Sequence, residues 1–210
     1  RWMPLRRRYS LALLALVLAG GLAVDAGDRR LLTSRSFFGV LRVVDRDGAR
    51  HLLHGSTLHG SQRLDERGRC VPRAYYAEAG PLGEIFEVHR AAGVAGGTVA
   101  VGLGTGAVAC YGRAGEPFRF IEINPDVLAV ARDRRYFTYL AQSPAAPLEL
   151  SLGDGRLGLA EEPDGRLARI VLDAFNSDSV PVHLLTREAL RLYLAKLAPG
   201  GWAILHLSNR

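Results

Sequence analysis

The sequence predicts an α/β protein: one parallel sheet with helices on both faces, a small antiparallel β unit before it, and an apolar helix at the start. Three observations carry this expectation. From residue 81 onward, short apolar runs that end on glycine or an acid alternate with amphipathic stretches, the pattern of strands joined by right-handed crossover helices. Within it, Thr98-Val-Ala-Val101 opens into Gly102, Gly104 and Gly106, which reads as a strand, a tight turn and a helix start where backbone can approach a ligand closely. Ahead of it, residues 34 to 73 alternate as strands do and break at Asp47-Gly48, a two-residue hairpin signal.

With 210 residues, of which 48% are hydrophobic, the chain can bury one good core and a small satellite domain. The expected division is an apolar segment over 1–26, a β unit over 33–80 and an α/β domain over 81–210. The formal charge of +6 does not mark a nucleic-acid partner: Lys196 alone is lysine, and the arginines are scattered among Ala, Gly and Leu rather than gathered in a patch. Cys70 and Cys110 form no C-x-x-C pair, so two reduced thiols in a reducing compartment are expected, with Cys110 packed under the first helix.

The first residues differ from the rest. Arg6, Arg7 and Arg8 precede an uncharged run from Tyr9 to Val24, about 24 Å long as a helix against a hydrocarbon core of about 30 Å. Its readings are a signal peptide with Val24-Asp-Ala26 as a poor cleavage site, the last helix of a larger membrane domain, an N-terminal anchor, or a buried soluble helix. The arginines favour a cytoplasmic N-terminus, whereas chemistry on a nucleoside cofactor favours a cytoplasmic catalytic domain. The expectation is a membrane-associated protein whose enzymatic domain lies in the cytoplasm.

Phe37 to Asp45 and Ala49 to His54 make the expected hairpin, and Thr57 to Leu64 a third strand. His51, His54 and His59 lie here, but no spacing brings imidazoles to one helix face and no Cys, Asp or Glu completes a set, so no metal is expected. The stretch from His54 to Gln62 reads instead as a shaped loop presenting polar groups to a neighbouring site. Leu82, Ile85, Phe86 and His89 have helical spacing, giving a helix over 81–92. A helix follows from Pro125 to about Arg135, with Asn124 as N-cap. Leu148 to Leu152, Arg169 to Ala174 and Trp202 to Leu207 are the remaining strands, and Thr186 caps a helix that stops at Pro199-Gly-Gly201.

Glu122 lies 16 residues after Gly106, at the end of the next strand, where a carboxylate can accept both hydroxyls of a ribose. No third glycine arrives where a dinucleotide pattern needs one, so a nucleoside with a charged tail, such as S-adenosylmethionine, fits better than a pyrophosphate. Asp154 and Asp173 also end strands, and ligand crevices lie outside the carboxyl ends of parallel strands. The three acids therefore mark one edge of the sheet.

Taken in order, Ser36-Phe-Phe-Gly-Val40, His59-Gly-Ser-Gln62, Tyr75-Tyr76 before Gly80-Pro-Leu82, Val101-Gly-Leu-Gly-Thr-Gly106, Glu122-Ile-Asn-Pro125, Gly153-Asp-Gly155, Asp173-Ala-Phe-Asn-Ser-Asp178 and Pro199-Gly-Gly201 resemble the spermidine synthase family of aminopropyltransferases. The resemblance runs from Ser34 to Arg210 and is greatest to the branch fused to a membrane or transporter-like segment. It implies the Rossmann-like class I methyltransferase fold and transfer of an aminopropyl group from decarboxylated S-adenosylmethionine to a small amine, releasing methylthioadenosine. By that resemblance Gly102, Gly104, Thr105 and Gly106 form the cofactor turn, Glu122 holds the ribose, and Asp154 with Gly155 holds the adenine. Gln62 borders the cofactor, Asp173 receives a proton or holds the amine, and Tyr75 or Tyr76 lines the acceptor groove. A homodimer is an open expectation.

The chain departs from the family pattern in two places. Thr105 stands where the family carries an aspartate that pairs with the amine of the decarboxylated cofactor, and Tyr76-Ala-Glu78 replaces the Tyr-His-Glu of the acceptor groove. The alternatives are a methyltransferase using intact S-adenosylmethionine and a membrane-tethered nucleoside-binding module without turnover. Because Arg210 follows the fifth strand directly, the sequence reads as part of a longer chain.

Overall fold

The chain builds two sheets. The structure, a computed structural model, describes residue 10, residues 28–174 and residues 181–206. The apolar run of residues 1–26 thus lies, apart from Ser10, outside the described residues. Among those described, no helix is long and apolar enough to cross a membrane.

The first sheet is an antiparallel meander of β1 (Arg29–Ser36), β2 (Gly39–Arg46), β3 (Ala49–His54) and β4 (Thr57–Arg63). The expected turn joins β2 to β3, with Asp47 at φ 52° and Gly48 at φ 73°, the left-handed pair that matches strand twist. β1 is a fourth strand beyond the three expected; it escapes the alternation because charged residues fill its outer positions and Leu31 and Leu32 pack only partly. Leu41, Val43 and Leu52 pack against Val130 and Phe137. Beside them a buried ion pair joins Arg50 to Asp45 at 2.7 Å, and Arg50 also donates to the Tyr136 carbonyl at 3.1 Å. Apolar packing and a fully partnered charge thus dock this sheet on residues 127–137 of the α/β part.

The second sheet contains β5 (Gly97–Val101), β6 (Ala114–Glu122), β7 (Ala146–Leu152), β8 (Leu167–Leu172) and β9 (Leu197–Leu205). All pairings are parallel and the order is β7-β6-β5-β8-β9, so the chain starts in the middle, builds to one side and then crosses to the other. The reversal falls between β5 and β8, the place where such sheets open a crevice. Every residue of β8 is buried, as a strand covered on both faces must be. Alternate residues feed two cores: Ala100, Phe118 and Phe120 on one face, Val99, Val101, Ile121 and Ile170 on the other.

The helices are α1 (Pro81–Ala91), α2 (Pro125–Arg132), α3 (Tyr139–Gln142), α4 (Gly155–Glu161) and α5 (Arg187–Lys196). Asn124 caps α2 as expected, accepting from Asp126 N at 2.9 Å. The helix stops sooner than its sequence suggests because the Asp133 carboxylate takes the Arg135 backbone N–H at 2.9 Å, a local bond that competes with continued helix.

Two expectations are corrected around the glycine turn. No α-helix follows Gly106; residues Ala107–Tyr111 make a short 3-10 turn, after which Gly112 is extended. Nor are the cysteines separate thiols. Cys70 and Cys110 are joined by a disulfide across 40 residues of sequence, which clamps the 3-10 turn to the segment after β4. A lone pair of cysteines without a motif gives no sign of this, since only the fold brings their Cα atoms to 5.3 Å.

Candidate active site

Because the strands are parallel, Gly102, Glu122, Gly153, Asp173 and His206 all follow or end strands at one edge. There a cavity of about 260 Å³ is walled by Gly102, Gly104, Glu122, Asp154, Gly155 and Asp173, among others. The glycines are needed for space. A Cβ on Gly102 would sit 2.2 Å from the Asp173 carbonyl oxygen, one on Gly104 would sit 2.7 Å from the His59 carbonyl oxygen, and one on Gly155 would strike Val101 at 2.1 Å.

Glu122 is buried and bridges two backbone segments, accepting from Leu103 N at 2.9 Å and from Asn124 N at 2.8 Å. Burial raises its pKa despite these bonds, because desolvation penalises the ionised form more than two backbone donors favour it. Asp154 caps α4 through Leu157 N and takes His183 Nε2, each at 2.9 Å. Burial pushes its carboxyl upward, but these bonds prevail and its pKa is lowered. His54 and His59 also line the cavity, with ring centroids 5.5 Å apart, and the His59 carbonyl lies against Gly104. Burial lowers the pKa of His59, and its Nε2 is buried without a partner among the described residues.

Asp173 sits between this cavity and a second, also of about 260 Å³, and with Tyr76 lines both. Tyr76 donates its hydroxyl to Asp173 Oδ2, Tyr75 donates to Tyr76 at 3.1 Å, and His206 Nδ1 lies 2.6 Å from Asp173 Oδ1. Burial above all, with the Asp173 charge adding to it, drives both tyrosine pKa values up. Both phenols therefore stay neutral and serve as donors.

The edge thus gathers Gly102, Gly104, Glu122, Asp154, Gly155, Asp173 and Tyr76, and leaves three expected residues outside the cavity. Gln62 is turned into the protein, giving Nε2 to Thr138 Oγ1 at 2.9 Å and taking Thr138 N at 3.0 Å; it fastens β4 to the start of α3. Thr105 is fully buried against Gly60, where a Cβ would meet its Oγ1 at 2.6 Å. Gly106, at φ 84°, packs under Leu140, so its small size serves packing. Glu78, the acid of the Tyr76-Ala-Glu78 stretch, is exposed and lines neither cavity. Asp178 lies outside the described residues.

His206, His54, His59 and His183 are the residues the sequence does not assign. For His54 and His59 the signal was the loop that presents polar groups; for His206 the position just after an apolar strand was the available sign. No group of three His, Cys, Asp or Glu that could hold a metal occurs among the described residues.

No family model and no curated protein matches the sequence. Solved structures do match in shape. A probable spermidine synthase from Corynebacterium glutamicum superposes with a TM-score of 0.64 at 14% identity, covering 83% of this chain and 62% of that one. Spermidine synthase from Thermotoga maritima gives 0.55 at 14% identity, over 81% of this chain and 54% of that one. A spermidine synthase in complex with the transition state analogue AdoDATO gives 0.53 at 14% identity, over 81% and 55%. The fold is therefore of the spermidine synthase type, an antiparallel sheet joined to a Rossmann-like parallel one. The chain spans less than two thirds of the length of these structures.

Proposed function

We propose that the protein is a spermidine synthase-like transferase that moves an aminopropyl group from decarboxylated S-adenosylmethionine to a small amine. The observation that carries this reading is the position of Asp173, a wall residue of both cavities. The residues of the first cavity fit an adenosyl group. Each Glu122 oxygen accepts one backbone bond and retains a lone pair for a ribose hydroxyl. Asp154 and Gly155 line it for a base, while Gly102 and Gly104 let the turn pack against the Asp173 and His59 carbonyls and so bring its backbone to the cavity wall.

Bound there, an adenosyl sulfonium supplies an activated alkyl carbon, whose sulfur leaves as a neutral thioether when an amine lone pair forms the new carbon–nitrogen bond. Asp173 takes the proton that the amine gives up. Tyr76 and His206 hold its two oxygens in place, so orientation and exclusion of water supply much of the rate.

One observation favours a second reading, methyl transfer from intact S-adenosylmethionine. The glycine turn carries Thr105 in place of an acid, which removes the charge that would repel the carboxylate tail of the intact cofactor. Product analysis separates the two: methylthioadenosine marks aminopropyl transfer, S-adenosylhomocysteine marks methyl transfer, and binding without either product rejects both.

We also propose attachment to a membrane through residues 9–24. The Cys70–Cys110 bond supports a catalytic domain on an oxidising side, since such bonds are rare in the cytoplasm. Arg6, Arg7 and Arg8 ahead of the apolar run lean the same way, against the cytoplasmic placement that cofactor supply favours. Alkylation of intact cells with a permeant maleimide tests it: both cysteines resist until reduced if the domain faces an oxidising space, and react at once if it is cytoplasmic.

A further inference from the structure

The second cavity differs from a polyamine site in its charge. Its walls include Pro81, Leu82 and Ile85 from α1 and Val171, Ile204 and Leu205 from β8 and β9. Among the described residues that line it, Asp173 is the one acid, and it stands at the end shared with the first cavity. Both of its oxygens are already engaged, by Tyr76 and by His206. Each still has a lone pair for one ammonium. A diamine would place its second ammonium against the aliphatic side chains, where an unpaired charge is strongly disfavoured.

We propose that the acceptor is a small apolar monoamine, with its amine at Asp173 and an aliphatic or aromatic body along α1 and β9, and that diamines and polyamines are excluded. This rests on the transfer reading above and names its acceptor class. Tyr75 adds an aromatic surface to the amine end: its ring lies 4.5 Å from the His206 ring and 4.2 Å from that of Tyr76. An alkyl chain or a ring can pack there without a charged partner. The apolar wall also follows from the fold, because Val171 and Ile204 are core residues of adjacent strands whose face is shared between core and cavity.

The test compares n-pentylamine with 1,4-diaminobutane, which have the same chain length and differ by a methyl group against an ammonium. Binding to the full chain is read by calorimetry, with methylthioadenosine titrated separately to check the first cavity. The expected result is at least tenfold tighter binding of n-pentylamine, and a Leu82→Asp variant that narrows or reverses the preference by placing an acid on the apolar wall. Equal or tighter binding of 1,4-diaminobutane overturns the proposal, and loss of that binding in Asp178→Asn would assign the second anion to Asp178. Failure of methylthioadenosine to bind while the amine preference holds would instead count against the adenosyl reading alone.

Discussion

The two cavities share Asp173 and Tyr76 yet are built by different means. The first is lined by turns at strand ends, with glycines packed tightly on neighbouring protein atoms and acids already tied to backbone N–H groups. The second is lined by side chains of a helix and two strands, almost all aliphatic or aromatic. A backbone-built site suits a ligand with one required shape and hydrogen-bond pattern; a side-chain-built one changes its ligand by single substitutions. The comparison teaches that substitutions should act on the second cavity more readily than on the first.

The sharpest way to separate the halves is at their shared residue. Asp173→Asn should lower turnover by about 10²- to 10⁴-fold, the usual worth of a positioned acid–base group, while an adenosyl ligand binds within a few-fold of the parent by calorimetry. A variant that turns over normally would remove Asp173 from proton transfer. Next comes the clamp between the halves. Cys70 precedes the Tyr75-Tyr76 segment and Cys110 follows the glycine turn, so replacing both by Ser frees one half from the other. Loop entropy for the 40-residue separation gives a loss of about 4 kcal/mol, read as a lower urea midpoint. An unchanged midpoint would mean that the bond does not form.

Within the first cavity, Glu122→Ala should weaken an adenosyl ligand by about 1.5–3 kcal/mol, or roughly 10- to 150-fold, and leave n-pentylamine binding unaltered. Equal losses for both ligands would show that Glu122 acts by holding the fold. The smallest effect is one of pH. Burial raises the Glu122 pKa, so adenosyl affinity should fall on acidification beginning above the ordinary carboxylate range, as protonation removes an acceptor. The stability contribution has the opposite sign: it is fully present below the unfolded pKa and is lost as pH rises through the folded one. Affinity that stays constant down to pH 4 would contradict the assignment.

The sequence made the first half legible and the second largely not. Gly102, Gly104, Glu122, Asp154 and Asp173 each punctuate an apolar run, and a parallel sheet sends the ends of its strands to one edge, so spacing alone foretells their meeting. Gln62, Thr105 and Gly106 belong to the same motifs but face inward, because a motif states which residues lie in a turn and not which way each side chain points. His206, the Cys70–Cys110 bond and the walls from α1 depend on contacts across 33 to 111 residues; local patterning has no access to them. The buried Arg169 shows the same limit. The sequence shows that it opens a strand but not that it is buried, with partners in Thr98 at 2.9 Å and Glu116 at 3.1 Å.

Hydrogen exchange with each ligand in turn tests most directly whether two separate sites meet at Asp173. Methylthioadenosine should protect the amides of 101–106, 121–124 and 153–155, n-pentylamine those of 74–85 and 203–206, and each should protect Asp173. Protection of the same segments by both ligands, or of neither set by methylthioadenosine, would contradict the account.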